Sequence, residues 1–256
     1  MMNIKGIALT IVFTFILSII LQYIMFKVSD KIKYTYPKNQ LYGLIILSTV
    51  LNTTIFVIYG FNIKTFLLSL IIMINLSSIN IDLNYKEIPD SYNLITFLLG
   101  IVLIILTRQQ YKIFILTGVI SFSVYLIIVI ISNGAMGGGD IKMAGALGFS
   151  MPYHLLFTNK LSYYPTWYVV TQEIIYFVFY SSLIGVLLSV FIIYFKNGKL
   201  KTAIPYGPFI LIGYIMILIN KNYMYLEILN VILLFLYTSY WIVKKLNEEN
   251  NGKSSI

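Results

Sequence analysis

The sequence contains no cysteine and a single histidine, His154, among its 256 residues. The absence of cysteine excludes disulfides, a thiolate nucleophile and a Cys-ligated metal site, and one histidine cannot form a zinc-binding cluster. Charged residues are also scarce, at 11% of the chain, whereas an ordinary soluble domain carries about 25%. Any catalytic chemistry must therefore come from the few acidic residues, and we expect no metal and no other cofactor.

Long apolar runs fill most of the rest of the chain. Hydrophobic residues make up 59% of it, and the mean hydropathy is +0.87. A single soluble core cannot bury that much apolar surface, so the composition predicts an all-α, polytopic bundle of about eight to nine transmembrane helices in a lipid bilayer. We expect one integral membrane domain over 1–256, no soluble domain, and a frayed polar tail at 244–256.

Nine apolar segments are candidates to cross about 30 Å of hydrocarbon as helices. They cover residues 6–26, 41–62, 65–81, 91–107, 113–132, 143–158, 174–195, 202–220 and 223–243. The first segment could be a signal peptide, but no small-residue cleavage site follows it. The segment 143–158 is the weakest candidate because it contains Pro152 and His154.

The distribution of basic residues predicts the orientation of the chain. If all nine segments cross the membrane, the loops hold twelve lysines on one side and six Lys or Arg residues on the other. Cytoplasmic loops collect Lys and Arg, so the side with twelve should face the cytoplasm, with the N-terminus outside. The net charge of +9 then suits anionic lipid rather than nucleic acid. We expect a multi-pass protein of the cell membrane, of the bacterial plasma-membrane type.

Two aspartates stand at the ends of predicted segments on that cytoplasmic side. Asp82 ends the third segment, and Asp140 lies in the glycine-rich loop after the fifth. An acid at the membrane boundary is costly and is by default a functional-site candidate. Two carboxyl groups held close in a low dielectric share a proton, as in aspartic proteases, where one activates water and the other protonates the scissile carbonyl. The alternative is that both are solvated loop residues.

Other residues near these acids could support or replace them in the site. Asp90 is a rival to Asp82, but its position favours capping the helix that begins near Ser91. Lys142 either stabilises the charge of the Asp pair or marks the cytoplasmic face. Gly137 and Gly139 lack a Cβ and could let a substrate backbone approach.

The head of the eighth segment carries two prolines around a glycine. Pro205, Gly207 and Pro208 either shape the backbone beside the active site or simply start a helix, where proline is tolerated.

Three sequence blocks resemble those of type IV prepilin peptidases, a family of membrane aspartic proteases. Gly137-Gly138-Gly139-Asp140-Ile141-Lys142 has the form G-x-G-D-x-K of the family signature. The stretch from Asp82 to Ile88-Pro89-Asp90 resembles the block after the family's first catalytic aspartate, and Ile204-Pro205-Tyr206-Gly207-Pro208 resembles I-P-x-G-P. The blocks occur in the family's order, and the resemblance covers a core of roughly 65–220.

The resemblance implies an activity and a substrate. Asp82 and Asp140 would be the catalytic residues, supported by the motif residues Pro89, Gly137, Gly139, Lys142, Pro205, Gly207 and Pro208. The substrates would be prepilin-like membrane proteins of type IV pili or protein secretion, whose short basic leader is removed at the cytoplasmic face. This chain lacks the Cys-rich N-terminal loop of many bacterial members, so we do not expect the methyltransferase activity that some of them have.

Other functions remain open at this point. A proton-coupled transporter could use Asp82 and Asp140 as a relay, and a related G-x-G-D protease, such as a preflagellin peptidase, would carry the same acids. An inactive relative is a further alternative. The aromatic residues of 159–171 are typical of an interfacial belt on the outer side. The sequence does not indicate an oligomeric state.

Overall fold

The computed structural model describes residues 4–108, 111–134, 136–157, 164–196, 205–219 and 224–250, and these form helices without any strand. The helices are α1 (Ile4–Lys31), α2 (Lys38–Tyr59), α3 (Ile63–Tyr85), α4 (Asp90–Thr107), α5 (Tyr111–Ile131), α6 (Gly138–Gly148), a 3₁₀ helix (Met151–Phe157), α7 (Thr166–Lys196), α8 (Gly207–Leu218) and α9 (Met224–Asn250).

Seven of these helices are long and apolar enough to cross a membrane, namely α1, α2, α3, α4, α5, α7 and α9. The prediction of an all-α, polytopic bundle is therefore confirmed. The other two predicted segments are shorter within the described residues. One is α8, and the other is α6 followed by the 3₁₀ helix.

Helix α8 nevertheless connects the same two ends of the bundle as α3. At its first residue, Gly207 donates its backbone N–H to Asp82 near the end of α3. At its last residue, the carbonyl of Leu218 accepts a hydrogen bond from Tyr59, which ends α2 just before α3 begins. We call the end of the bundle where α3 finishes and α8 begins the Asp82 end.

Helix α6 and the 3₁₀ helix together also run between these two ends. Asp140 lies in the first turn of α6 at the Asp82 end. The hydroxyl groups of Tyr153, in the 3₁₀ helix, and Thr65, in the first turn of α3, lie 3.1 Å apart at the opposite end. Within the described residues, both of these shorter segments therefore run from one end of the bundle to the other, as the predicted order of segments requires.

The sequence predicted one continuous segment at 143–158, but the structure breaks it at Phe149 and Ser150. Pro152 has no backbone N–H to continue an α-helical ladder. The Ser150 hydroxyl donates to the Leu147 carbonyl and lies 2.7 Å from the Tyr214 hydroxyl, which fixes the break against α8. Helix α6 instead begins at Gly138, five residues before the predicted start.

Helix α3 lies at the centre of the bundle, and polar side chains along it bind its neighbours. Asn75 donates to the Thr96 hydroxyl of α4 at 2.9 Å, and Ser77 donates to Gln22 of α1 at 2.7 Å. Hydrogen bonds of this kind join helices in an apolar environment, where burial of hydrophobic surface alone cannot. They fix the position of the helix that carries Asp82.

The end of the chain differs from its sequence-based description. Helix α9 continues through Lys244 to Asn250, so the segment predicted as a frayed tail is helical as far as the structure describes it. Residues 251–256 of that predicted tail lie outside the described residues.

Candidate active site

Asp82 lies in the last turn of α3 with 4% of its surface exposed. One of its carboxylate oxygens, Oδ2, accepts the backbone N–H of Gly207 at 3.0 Å. Gly207 is the first residue of α8, where backbone N–H groups lack a partner within the helix and the helix dipole favours negative charge. A Cβ at residue 207 would lie 2.8 Å from the same oxygen, so only glycine allows this contact without displacing the acid.

Asp140 is held in a similar way at the start of α6. Its Oδ2 accepts the backbone N–H of Gly137, the N-cap residue, at 3.1 Å. This is the part of a capping box in which an acid at the third helical position satisfies the N-cap donor. Its other oxygen, Oδ1, is buried and has no hydrogen-bond partner among the described residues. One oxygen therefore orients the carboxyl group and the other is left for chemistry.

The environment of Asp140 also changes its acidity. This residue lies outside the seven candidate spans and is 7% exposed. Burial raises the pKa of Asp140 to about 6, against the opposing effect of the hydrogen bond from Gly137. A carboxyl group with such a pKa changes protonation close to neutral pH, which suits a general acid or base.

Asp82 and Asp140 line one pocket of about 450 Å³ at the Asp82 end. Asp82 reaches the pocket from the last turn of α3, and Asp140 reaches it from the first turn of α6. The α3–α4 loop and the start of α6 form most of the wall, and the other lining residues are Ile32, Tyr34, Lys86, Glu87, Ile88, Pro89, Asp90, Ser91, Gly137, Gly138 and Gly139. The structure thus brings together the two acids of the sequence-based hypothesis.

The space beside Gly139 is filled by the protein itself. A Cβ at residue 139 would lie 3.0 Å from both the Cβ and the carbonyl oxygen of Ile88. Asn93 also donates to the Gly139 carbonyl at 3.1 Å. Gly139 therefore lets the α3–α4 loop pack against α6, whereas the sequence suggested room for a substrate backbone there. An added Cβ at Gly138 has no neighbour within 4 Å, so the start of α6 is open at that glycine.

Lys142 and Asp90 form an ion pair with each other at 2.7 Å, on an exposed surface. Lys142 does not line the pocket of Asp82 and Asp140. Its ion pair with Asp90 therefore argues against a direct role of Lys142 in stabilising the charge of those two acids. Asp90 is the first residue of α4, and Pro89 occupies the N-cap position. The predicted capping role of Asp90 is therefore wrong, because the helix begins one residue earlier and the carboxylate turns to Lys142.

The remaining motif residues lie at helix starts. Pro208 is in the first turn of α8, where its missing N–H costs no intrahelical bond. Pro205 is buried two residues before α8. Together with Pro89 they precede or begin the helices that meet at the Asp82 end.

Residues 66–190 match the model of the type IV leader peptidase family. The match covers just under half of the chain and supports its assignment to that family. The matched residues include Asp82 and Asp140 and end before Pro205 and Gly207, so the third sequence block remains a resemblance. No curated protein and no solved structure matches the chain significantly. The family match and the seven apolar helices identify a protease of the type IV leader peptidase kind in a multi-pass membrane protein.

Sequence reasoning missed two features of this leader peptidase site. It did not assign Ile88, which packs on Gly139, or the role of the Gly207 N–H as partner of Asp82. The I-P-x-G-P block marked Gly207 as important but gave no partner for it. Among the described residues, no group of three His, Cys, Asp or Glu side chains could hold a metal ion.

His154 and Glu173 lie at the opposite end of the leader peptidase from the two aspartates. His154 Nε2 and Glu173 Oε1 are 3.5 Å apart, and both side chains are buried. His154 is thus a packed residue. Glu173 lies within α7, because α7 begins at Thr166, whereas the predicted segment began at residue 174.

Replacing Asp90 tests which acid of the α3–α4 region the leader peptidase needs. We expect Asp90→Ala to lower kcat/KM by no more than about five-fold, because exposed ion pairs contribute about 0–1 kcal/mol. The measurement is cleavage of a leader-bearing substrate by purified enzyme. A loss as large as that of Asp82→Ala would instead make Asp90 the second catalytic acid.

Proposed function

We propose that this protein is an aspartic endopeptidase that removes the short basic leader of type IV prepilin-like proteins at the cytoplasmic face of the cell membrane. The observation that carries the proposal is the shared pocket of Asp82 and Asp140, with each acid held by a backbone N–H at a helix start. The match to the leader peptidase family supports the substrate class.

The proposed reaction uses one proton shared by the two acids. Ionised Asp140 accepts a proton from water through its unpartnered Oδ1, and the hydroxide adds to the scissile carbonyl carbon while protonated Asp82 gives its proton to the carbonyl oxygen. The resulting gem-diol then collapses. Asp140 gives its proton to the leaving amine, the C–N bond breaks, and a diol hydroxyl returns its proton to Asp82. Both acids regain their starting states.

The distribution of charge supports a cytoplasmic site. Among the residues whose side chains the structure describes, eight lysines belong to the loops and helix ends at the Asp82 end, and four basic residues belong to the opposite end. The first group is Lys27, Lys31, Lys33, Lys38, Lys86, Lys142, Lys244 and Lys245, and the second is Lys5, Lys64, Arg108 and Lys112. Because cytoplasmic ends collect Lys and Arg, this favours the Asp82 end as the cytoplasmic one.

The pocket also has a charge that suits a basic leader. Glu87 lines it in addition to the two candidate catalytic acids, and Lys86 is the one lysine of the lining. Asp90 also lines the pocket, with its charge paired to Lys142. Tyr34 donates to Glu87 at 3.1 Å, which holds that carboxylate at the rim. Opposite charges across an interface improve specificity and encounter rate, so the rim favours a leader that carries lysine or arginine.

Co-expression with a membrane-anchored prepilin tests the proposal. The probe carries a basic leader that ends in glycine, followed by a helix that begins with phenylalanine. We expect its mass to fall by that of the leader, with the new N-terminus directly after the glycine. An uncleaved probe, or proton-coupled uptake without any cleavage, would contradict the proposal. Preference for a preflagellin over this probe would favour the related G-x-G-D protease.

The acidity of Asp140 predicts the pH dependence of the reaction. Asp140 must be ionised to accept a proton from water, and burial raises its pKa to about 6. We therefore expect kcat/KM to fall about tenfold per pH unit below about pH 6, whereas an ordinary aspartate with a pKa of about 3.9 would keep activity level to about pH 4. The measurement is kcat/KM between pH 4.5 and 8. A level profile down to the lower limit would contradict the assigned role.

A further inference from the structure

An apolar groove of about 610 Å³ lies between α4 and α5, with α6 as its floor. We call it the α4–α5 groove. Its apolar lining comes from Leu94 and Phe97 on α4, Val119 and Phe122 on α5, Ala146 on α6, and Phe149 directly after α6. The α4 and α5 side chains among these are partly exposed, with Leu94 at 57% and Val119 at 51%. The groove is therefore an outward-facing apolar surface on the same helix that carries Asp140.

The groove is continuous with the candidate active site. Asp90 and Ser91 line both the groove and the pocket of the two acids. The ion pair of Lys142 and Asp90 lies at this junction. From Asp140, the floor extends along α6 to Phe149, a rise of about 13 Å at 1.5 Å per residue. A helix lying in the groove would thus point one end at the catalytic pocket and run away from it for about two to three turns.

A second apolar groove makes the contrast clear. It has about 750 Å³ between α5 and α7, and Val186 is among its lining residues. It shares no lining residue with the pocket of the two acids. Both grooves could hold lipid chains, but only the α4–α5 groove leads to the candidate catalytic residues. Its apolar wall and its acidic end match a chain that is apolar on one side of the scissile bond and basic on the other.

We propose that the α4–α5 groove binds the first two to three turns of the substrate's hydrophobic helix, directly after the scissile bond. The helix lies along α6 with its N-terminal end at Asp140, and the basic leader extends towards Glu87. This inference rests on the proposed leader-peptidase function. It adds the surface by which the enzyme distinguishes a membrane-anchored substrate from a free leader peptide.

Two substrates and two matched pairs of variants test the groove. One substrate is a designed prepilin with a basic leader, a glycine at the cleavage site and an apolar helix of about 20 residues. The other is a short peptide of the same leader and cleavage site that ends a few polar residues after the scissile bond. Leu94→Trp and Val119→Trp fill the groove. Leu236→Trp on α9, also 57% exposed, and Val186→Trp in the second groove, 60% exposed, are the matched controls.

We expect Leu94→Trp and Val119→Trp to lower kcat/KM for the anchored prepilin by at least about ten-fold, the equivalent of about 1.4 kcal/mol. Cleavage of the short peptide should stay within about two-fold of wild type, and both controls should leave both substrates within that range. Equal rates for wild type and groove variants on the anchored substrate would overturn the groove proposal. An equal loss on both substrates would do so as well, since it would indicate a disturbed active site.

The absence of native cysteine allows a direct contact test in the full chain. In an Asp140→Asn background, which keeps the substrate intact, Leu94→Cys should form a disulfide with cysteines placed in the first two to three turns of the prepilin helix. Leu236→Cys should not. Equal disulfide formation at both positions would overturn the proposal. So would cross-linking of the groove residues to a photoactivatable lipid, and not to the substrate, when both are present.

These results separate the two proposals. A wild-type enzyme that cleaves neither substrate contradicts the leader-peptidase function itself. A wild-type enzyme that cleaves the anchored prepilin, combined with unaffected groove variants, contradicts only the α4–α5 groove.

Discussion

Asp82→Asn and Asp140→Asn should each reduce leader cleavage by at least about a thousand-fold, as removal of one member of a cooperating catalytic set does in other hydrolases. Asparagine has nearly the shape of aspartate, and its amide oxygen can still accept the N–H of Gly207 or Gly137. It cannot, however, take up or release the shared proton. The measurement is conversion of the designed prepilin by purified enzyme, with membrane insertion checked from the amount recovered in the membrane fraction.

The double variant and a surface control make this result specific. Because the two acids act as one unit, the double variant that combines Asp82→Asn and Asp140→Asn should have the same residual activity as either single variant. Asp30→Asn replaces an exposed acid at the same end of the bundle and should leave cleavage within about two-fold. Cleavage by either single catalytic variant at more than a tenth of the wild-type rate would contradict the mechanism.

Gly207→Ala should lower kcat by about 10- to 100-fold, because a hydrogen bond to a charged group contributes about 1.5–3 kcal/mol. The added Cβ would lie 2.8 Å from Asp82 Oδ2 and 3.0 Å from the Ile88 side chain. The carboxyl group must move away from the Gly207 N–H, and its position relative to Asp140 changes. Since the groove and the rim are untouched, KM should change much less than kcat, and steady-state kinetics with the anchored prepilin measures both.

Gly185→Ala is the matched control for this substitution. Gly185 lies on α7, and a Cβ there would come within 3.1 Å of the ring of Phe209 on α8, the helix that Gly207 begins, without reaching either aspartate. We expect its kcat to stay within about three-fold of wild type, since the flexible ring can move. Equal losses in the two variants would show that crowding of α8, and not displacement of Asp82, limits the enzyme. Full activity of Gly207→Ala would exclude a catalytic role for the contact.

The sequence predicted much of what brings the acids to one end of the bundle. Apolar segment boundaries alone determine that Asp82 ends one pass and Asp140 begins another, and counting the passes puts them on the same side. The glycines and proline of the G-x-G-D and I-P-D blocks also indicated a shaped backbone at those ends. These signals are local in the chain, so they can be recognised without knowing which helices contact each other.

The contacts that orient the acids could not be predicted in the same way. Gly207 and Asp82 are 125 residues apart, and nothing in either segment specifies that the start of α8 meets the end of α3. The packing of Ile88 on Gly139 likewise depends on how the α3–α4 loop folds over α6. Such contacts follow from tertiary packing, which hydropathy and motif spacing do not encode residue by residue.

Helix boundaries show the same limit. The sequence predicted that Asp90 caps a helix that begins near Ser91. In the structure α4 begins one residue earlier, at Asp90, and the Asp90 carboxylate forms an ion pair with Lys142. The segment 143–158 looked continuous because its residues are uniformly apolar. Its break depends on Ser150 finding the Tyr214 hydroxyl on another helix, which a local pattern cannot reveal.

The central claim is that Asp82 and Asp140 form one site on the cytoplasmic side of the membrane. Because the chain has no cysteine, the variant that combines Asp82→Cys with Asp140→Cys can be treated with a short bifunctional thiol reagent in sealed inside-out and right-side-out vesicles. Our proposal predicts an intramolecular cross-link when a membrane-impermeant reagent reaches the cytoplasmic face, and none from the outside. Labelling of the two positions from opposite faces, without any cross-link, would contradict it.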